Sequence, residues 1–224
     1  MEKLTIAIDG PAGAGKSSIA KEIAKKIGCI YIDTGAMYRA IGVTILKRGI
    51  DLADSENIEL TLNDINLAVE LIEDIQHIFI NGEDVNGQIR TPEASMAASA
   101  VAVIPSVRLK LVEIQRKIAE NNSVVMDGRD IGTFVLPNAD IKLFLTASVE
   151  ERAQRRYREL LEKGEKCTLD EVITDMKQRD KQDTEREFAP LKRAADSISV
   201  DTTGLDLFQS VDKIMDIIQE RKEK

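Results

Sequence analysis

Gly10-Pro-Ala-Gly-Ala-Gly-Lys-Ser17 is the stretch that decides the fold, because a strand pattern precedes it and a helix pattern follows it. The short, β-branched run at residues 3–9 predicts a buried strand. After the stretch, Ile19, Ile23 and Ile27 recur at the four-residue spacing of a helix. The stretch itself fits the pattern G-x-x-x-x-G-K-[ST] at every defined position. The sequence therefore predicts a phosphate-binding loop, or P-loop.

The chemistry of such a loop follows from its residue types. Glycines bend the backbone so that several N–H groups face one concavity, and the next helix adds the positive end of its dipole. Lys16 is placed to reach the β- and γ-phosphates of a nucleotide, and the Ser17 hydroxyl can ligate Mg²⁺. The alternative is a plain glycine-rich turn. The predicted nucleotide-binding residues are Gly10, Pro11, Ala12, Gly13, Ala14, Gly15, Lys16, Ser17 and Ser18.

Composition narrows the class of protein. The 224 residues are 43% hydrophobic but only 4% aromatic, so the core is expected to be aliphatic, as in parallel sheets covered by helices. A net charge of −8 argues against a nucleic-acid partner. Cys29 and Cys167 are too far apart to indicate a disulfide framework or a zinc site. No signal peptide or long apolar run is recognisable, so we expect a cytoplasmic protein without a membrane partner.

The rest of the chain alternates strand and helix patterns, which predicts an α/β fold with a parallel, doubly wound sheet. Residues 67–90 interrupt this alternation. Residues 67–72 and 77–80 have strand patterns, Asn81-Gly82 directly after them is a strong hairpin signal, and residues 83–85 add a third short stretch. We therefore predict a small antiparallel β insert. The predicted division is a core (1–33, 109–150 and 187–224), an acceptor-binding part (34–108) that holds the insert, and a helical lid region (about 151–186).

A P-loop alone does not name the reaction. The chain has no Asn-Lys pair and therefore no guanine-reading Asn-Lys-x-Asp, and it has no Leu-Ser-Gly-Gly-Gln-like transporter signature. The many arginines after the P-loop fit a small-metabolite kinase, which must neutralise several phosphates at once. A nucleotide-gated binding module is the non-catalytic alternative.

Three further stretches carry a resemblance to a known family. They are Ile32-Asp-Thr-Gly-Ala-Met-Tyr-Arg-Ala40, Met126-Asp-Gly-Arg-Asp-Ile-Gly-Thr133, and the segment 179–191 with 195–203 after it. Together with the P-loop, in this order, they closely resemble bacterial cytidylate kinases over essentially the whole length. The resemblance implies a P-loop kinase that phosphorylates CMP and dCMP with ATP and Mg²⁺. The alternative is a P-loop kinase for another nucleoside monophosphate or small metabolite. We expect a monomer.

The resemblance also implies roles for individual residues. Asp130 is expected to accept a hydrogen bond from cytosine N4, with Ser99 and Arg108 donating to N3 and O2. The implied catalytic residues are Lys16, Arg129, Arg179 and Arg186, and the implied metal site is Ser17 with Asp127. Arg152 and Arg156 are the favoured lid arginines over ATP. The implied acceptor-binding residues are Asp33, Thr34, Tyr38, Arg39, Ser99, Arg108, Arg129, Asp130, Arg179, Asp183 and Arg186.

Each of these roles has a plain structural alternative. Ser99 lies among alanines and could serve only as a small packing residue, and Asp130 could form a salt bridge with a neighbouring arginine. Tyr38 could pack on the core, and Asp127 could cap a strand end. The arginines have acidic neighbours in sequence, so surface ion pairs are their alternative.

Overall fold

The computed structural model describes residues 3–73 and 75–222. Its strands are β1 (Thr5–Asp9), β2 (Ile30–Asp33), β3 (Leu67–Ile72), β4 (Ile75–Ile80), β5 (Glu83–Asp84), β6 (Val124–Gly128), β7 (Ile141–Thr146) and β8 (Ile198–Asp201). Its α-helices are α1 (Lys16–Ile27), α2 (Thr34–Lys47), α3 (Ser55–Leu62), α4 (Pro92–Val101), α5 (Pro105–Asn121), α6 (Val149–Glu162), α7 (Leu169–Glu185) and α8 (Leu207–Lys222). The chain divides into two compact units.

The first unit, which we call the P-loop unit, comprises the chain up to Cys29 and from Ser123 onward. Its strands are parallel and lie in the order β6-β1-β7-β8. The centre of β1 is fully buried, which explains its unbroken apolar sequence. Ile8 pairs with Asp127 in register, so the carboxyl ends of β1 and β6 lie side by side. Ligands of open α/β sheets bind at such ends.

The second unit, which we call the acceptor unit, comprises Ile30–Asn122. It contains the antiparallel sheet β3-β4-β5 at the position of the predicted insert. Asn81 (φ 51°) and Gly82 (φ 86°) form the turn between β4 and β5, with the positive φ angles that a tight hairpin requires. A side chain at Gly42 would lie 2.7 Å from Ala97 Cβ, so α2 and α4 pack closely. The predicted α/β class, with a parallel sheet and a small antiparallel sheet, is confirmed.

Two segments have features that the strand and helix patterns alone do not predict. α7 continues through Arg179 to Glu185, since no glycine or proline interrupts it. Its start is fixed by a capping box between Thr168 and Glu171. A five-residue π-helix at Ile131–Val135 had no signal in the apolar spacing.

Within the described residues no single helix is long and apolar enough to cross a membrane, although Pro92–Val101 and Pro105–Asn121, bent by 103°, pass that test as a pair.

Candidate functional site

The P-loop follows β1 in a conformation that depends on its glycines. Gly10 has φ +150°, and a Cβ there would lie 2.1 Å from the Leu145 carbonyl oxygen. Gly13 has φ +73°, and its Cβ would lie 2.7 Å from Met176 Cε. Helix α1 begins at Lys16 with no acidic residue in its first turn, so its positive end is not neutralised from within the helix. The loop therefore has the backbone conformation and the helix dipole that the predicted phosphate site requires.

Lys16 is buried at the start of α1, with 6% of its surface exposed. Its Nζ donates a hydrogen bond to the Pro11 carbonyl oxygen at 2.7 Å. Burial, together with the charge of Arg129, lowers the pKa of Lys16 to about 7, against the opposing effect of Asp127 and Asp183. An anionic ligand beside Lys16 would offset both the burial and the arginine charge.

Ser17 and Asp127 meet at the ends of their elements. The Ser17 hydroxyl donates to Asp127 Oδ2 at 2.9 Å, and Asp127 is buried at the end of β6. Across residues 3–73 and 75–222 no group of three or more His, Cys, Asp or Glu side chains could hold a metal ion. The pair thus offers two neighbouring oxygen ligands rather than a complete protein cage.

Asp9 lies beside the predicted site residues and is not among the residues predicted from the sequence. Its carboxylate accepts hydrogen bonds from the backbone N–H groups of Ile131 and Gly132, both at 2.7 Å. Burial raises the pKa of Asp9 to about 6, although these two hydrogen bonds favour the ionised form. Asp9 therefore binds the first two residues of the π-helix, which begins directly after Arg129 and Asp130. The available signal was an acidic residue at the end of a buried strand, immediately before the P-loop.

Arginines and carboxylates from distant segments of the P-loop unit form a buried cluster. Arg129 Nε donates to Asp183 Oδ2 at 2.7 Å, and Arg186 lies 3.6 Å from Asp183 and 3.5 Å from Asp130. Burial would raise the pKa of Asp183, but the charges of Arg129, Arg179 and Arg186 outweigh it and lower that pKa. The salt bridge considered as an alternative for Asp130 is therefore present.

The two predicted lid arginines lie in different surroundings. Arg152 is buried and donates to the Ala147 and Ala12 carbonyl oxygens at 3.0 and 2.9 Å and to Asp180 at 2.7 Å. It therefore contacts the P-loop backbone directly. Arg156 pairs with Glu159 at 3.1 Å on the surface of α6. Asp180 is not among the site residues predicted from the sequence.

The acceptor unit holds the other predicted site residues. Asp33 caps α2 by accepting from Ala36 N at 2.9 Å, and its other oxygen accepts from Arg39 Nη2 at 2.7 Å. Thr34 is buried beside it. Tyr38 packs against the acceptor unit's core, with Arg108 over its ring.

Arg108 and Ser99 belong to neighbouring helices of the same unit. Arg108 is 1% exposed, donates to the Ala102 carbonyl oxygen at 3.0 Å, and lies 5.4 Å from the centroid of the Tyr38 ring. The half-buried Ser99 hydroxyl donates to the Ser95 carbonyl oxygen at 3.3 Å, one turn earlier in α4. The guanidinium position of Arg108 is thus set by the end of α4 and by an aromatic face.

The cytidylate kinase family model matches residues 6–220 of the chain. The chain belongs to the cytidylate kinase family. It is 50% identical over 221 residues to the cytidylate kinase of Ligilactobacillus salivarius, with 99% of each chain covered. It is 48% identical over 220 residues to that of Bacillus subtilis, with 98% of each chain covered. An uncharacterized protein from Eubacterium ventriosum shares the fold, with 15% identity, a TM-score of 0.54, and 97% and 99% coverage.

This membership confirms the family and the enzyme class predicted from the sequence, a nucleoside monophosphate kinase. It also confirms ATP-dependent phosphorylation of CMP and dCMP as the predicted reaction. The roles of the individual side chains are not tested by these similarities and stay predictions.

Proposed function

We propose that the P-loop unit of this cytidylate kinase family member holds ATP and stabilises the transferring phosphoryl group of the CMP or dCMP reaction through Lys16, Arg129, Arg179 and Arg186. The observation that carries the proposal is the electrostatic environment of Lys16, whose pKa is affected by Arg129, Asp127, Asp183 and Arg179 together. Phosphoryl transfer requires mainly alignment and charge stabilisation, and the acceptor phosphate needs no general base.

On the donor side, residues 10–18 bind the ATP phosphates, with Arg152 and Arg156 as lid arginines. Arg152 would act chiefly by fixing the P-loop backbone at Ala12. Mg²⁺ fits the Ser17–Asp127 pair, because two hard oxygens 2.9 Å apart suit an ion that keeps several of its waters. When bound, Mg²⁺ would neutralise charge on the β- and γ-phosphates.

On the acceptor side, Arg39 and Arg129 bind the phosphate of CMP. Arg39 Nε is buried and has no hydrogen-bond partner within the described part of the chain, which leaves a donor available for an anion. Arg179 and Arg186 act on the phosphates and the ribose, and Asp183 accepts from the ribose hydroxyls. Asp33, Thr34 and Tyr38 complete the acceptor-binding set.

The base is read by Asp130, Ser99 and Arg108. Cytosine presents an N4 amine as donor and N3 and O2 as acceptors, so a carboxylate facing N4 suits it. Uracil would place its O4 acceptor against Asp130 and its N3–H against the donors. Each mismatch leaves a buried polar group unpaired, at about 1–3 kcal/mol. Arg186 lies 3.5 Å from Asp130 and places a positive charge beside the carboxylate.

Asp130→Asn tests this assignment. We expect UMP to be a poor acceptor for the wild type and the CMP:UMP ratio of kcat/KM to fall in the variant, since an amide can donate to O4. Asp216→Asn, which changes an exposed carboxylate of α8, is the control and should keep the wild-type ratio. An unchanged ratio in a folded, active Asp130→Asn enzyme would show that Asp130 does not read the base.

We also propose the division into core (1–33, 109–150 and 187–224), acceptor-binding part (34–108) and lid region (151–186), and a cytoplasmic monomer that binds neither nucleic acid nor membrane. The net charge of −8 supports the proposed absence of a nucleic-acid partner, since phosphate backbones attract basic proteins. Light scattering with and without ATP would measure the oligomeric state, and a dimer mass would refute the monomer.

A further inference from the structure

Gln76, in strand β4 of the insert, makes two hydrogen bonds to the backbone of one residue. Its Oε1 accepts from Asp33 N at 2.7 Å, and its Nε2 donates to the Asp33 carbonyl oxygen at 3.2 Å. The side-chain amide thus binds Asp33 as a peptide group of a neighbouring strand would. Gln76 is 43 residues from Asp33 in sequence, so the contact is tertiary.

Asp33 occupies the junction between β2 and α2, and its side chain links the helix start to Arg39. One carboxylate oxygen accepts from Ala36 N and the other from Arg39 Nη2. With both backbone polar groups of Asp33 held, rotation of the adjoining peptides is restricted and the direction of the carboxylate is set. A Cβ at Gly35 would lie 3.1 Å from Asp33 Oδ1 and 3.3 Å from Arg39 Nη1, so the ion pair fills the space beside the helix.

Gln76 is itself supported from within the insert. Asn86 Nδ2 donates to the Gln76 carbonyl oxygen at 2.8 Å, and Asn86 Oδ1 accepts from Ile78 N at 3.1 Å. Ile78 is fully buried in the acceptor unit's core. The insert therefore presents Gln76 to Asp33 from a fixed backbone. Precise placement of a charged group depends on such supporting hydrogen bonds.

We propose that Gln76 is a positioning residue through which the β insert orients Arg39, by way of Asp33, for the phosphate of the acceptor nucleotide. The inference rests on the proposed role of Arg39 in acceptor binding. It gives the insert a specific function in substrate recognition. Gln76 does not touch the substrate in this account, and its effect is transmitted by Asp33.

The first test is steady-state kinetics of Gln76→Ala and of Gln76→Met, which keeps the length of the side chain but removes both hydrogen bonds. We expect KM for CMP and for dCMP to rise by the same factor, about tenfold, with KM for ATP unchanged and kcat within about twofold. Loss of folded enzyme alone would lower kcat without changing KM. Gln88→Ala is the matched control, because Gln88 lies in the same insert and contacts Lys47 and Glu83 rather than Asp33.

The second test combines Gln76→Met with Arg39→Ala. If Gln76 acts through Arg39, Gln76→Met should raise KM for CMP in the wild type but not further in the Arg39→Ala background. An unchanged KM for CMP in Arg39→Ala alone would overturn the acceptor role of Arg39, and the inference with it. If Arg39→Ala raises KM while Gln76→Met does not, or if the two factors multiply, the inference is wrong and the role of Arg39 stands.

Discussion

The two units handle their arginines in different ways. In the P-loop unit, the side chains of Arg152 and Arg186 are 4% and 5% exposed and pair with the carboxylates of Asp180 and Asp183, which come from one helix, α7. In the acceptor unit, the Arg39 side chain is 24% exposed and pairs with Asp33 six residues earlier. The P-loop unit therefore depends on charge compensation, whereas the acceptor unit depends on the placement of a partly hydrated ion pair.

This difference in surroundings changes how much each ion pair contributes to stability and to catalysis. Charges interact strongly where water is excluded, and losing one partner leaves the other uncompensated. Pairs that remain in contact with water contribute about 0–1 kcal/mol and are weakened by salt. We therefore expect larger effects of single substitutions in the P-loop unit.

Replacement of Lys16 should have the largest effect. Lys16→Ala removes the charge that stabilises the transferring phosphoryl group, at a cost of at least about 2.7–4 kcal/mol of barrier, or a fall in kcat of about 10²–10³-fold. Circular dichroism should show a folded variant. Lys21→Ala, an exposed position of the same helix, should keep wild-type turnover. Near-normal turnover of folded Lys16→Ala would contradict the kinase mechanism.

Replacing Asp183 in the P-loop unit and Asp33 in the acceptor unit compares what a carboxylate contributes to stability in each unit. Asp183→Ala removes the carboxylate that accepts the hydrogen bond of Arg129 Nε and should lower the free energy of unfolding by about 3 kcal/mol. Asp33→Ala removes an ion pair and a helix cap, at about 1 kcal/mol. Urea unfolding in low and in 1 M salt measures both. Salt should reduce the Asp33 effect more, and equal losses at both positions would remove the proposed contrast.

Asp9 gives the P-loop unit a dependence of stability on pH. Its pKa rises from 3.8 to about 6 on folding, so the folded state retains a proton that the unfolded state has lost between these values. Stability therefore falls as pH rises from about 4 to 6, by up to about 3 kcal/mol. Asp9→Asn lacks this ionisation. Urea unfolding at pH 4.5 and 7 should show the wild type losing more stability than the variant, and parallel losses would disprove the effect.

Replacement of the two lid arginines should have the smallest effects, and the two replacements should change KM for ATP to different extents. Arg152→Ala removes a contact to the P-loop backbone and should raise KM for ATP about tenfold, since hydrogen bonds of charged groups contribute about 1.5–3 kcal/mol. Arg156→Ala should change it less than about threefold, because its present partner is the surface residue Glu159. Equal effects would mean that Arg156 contributes as much to ATP binding as Arg152 does.

Whether the sequence alone could predict a contact depends on how far apart in the chain its two residues lie. The P-loop and the Asn81-Gly82 turn are local, and their residue types dictate their backbone. Asp9 and Ile131 are 122 residues apart, and no spacing pattern reveals that they meet. Gln76 was likewise indistinguishable from any polar residue of a half-exposed strand. The resemblance supplied candidate residues for the site, but not the hydrogen bonds that hold them.

The acceptor preference of the wild-type enzyme tests the central claim most directly. ADP release would be measured with CMP, dCMP, UMP, AMP and shikimate at matched ATP and Mg²⁺. We predict high kcat/KM for CMP and dCMP, a value at least about tenfold lower for UMP, and no turnover above background with AMP or shikimate. Faster turnover of AMP or shikimate than of CMP would contradict the account. Tight ATP binding without turnover of any acceptor would identify a binding module instead.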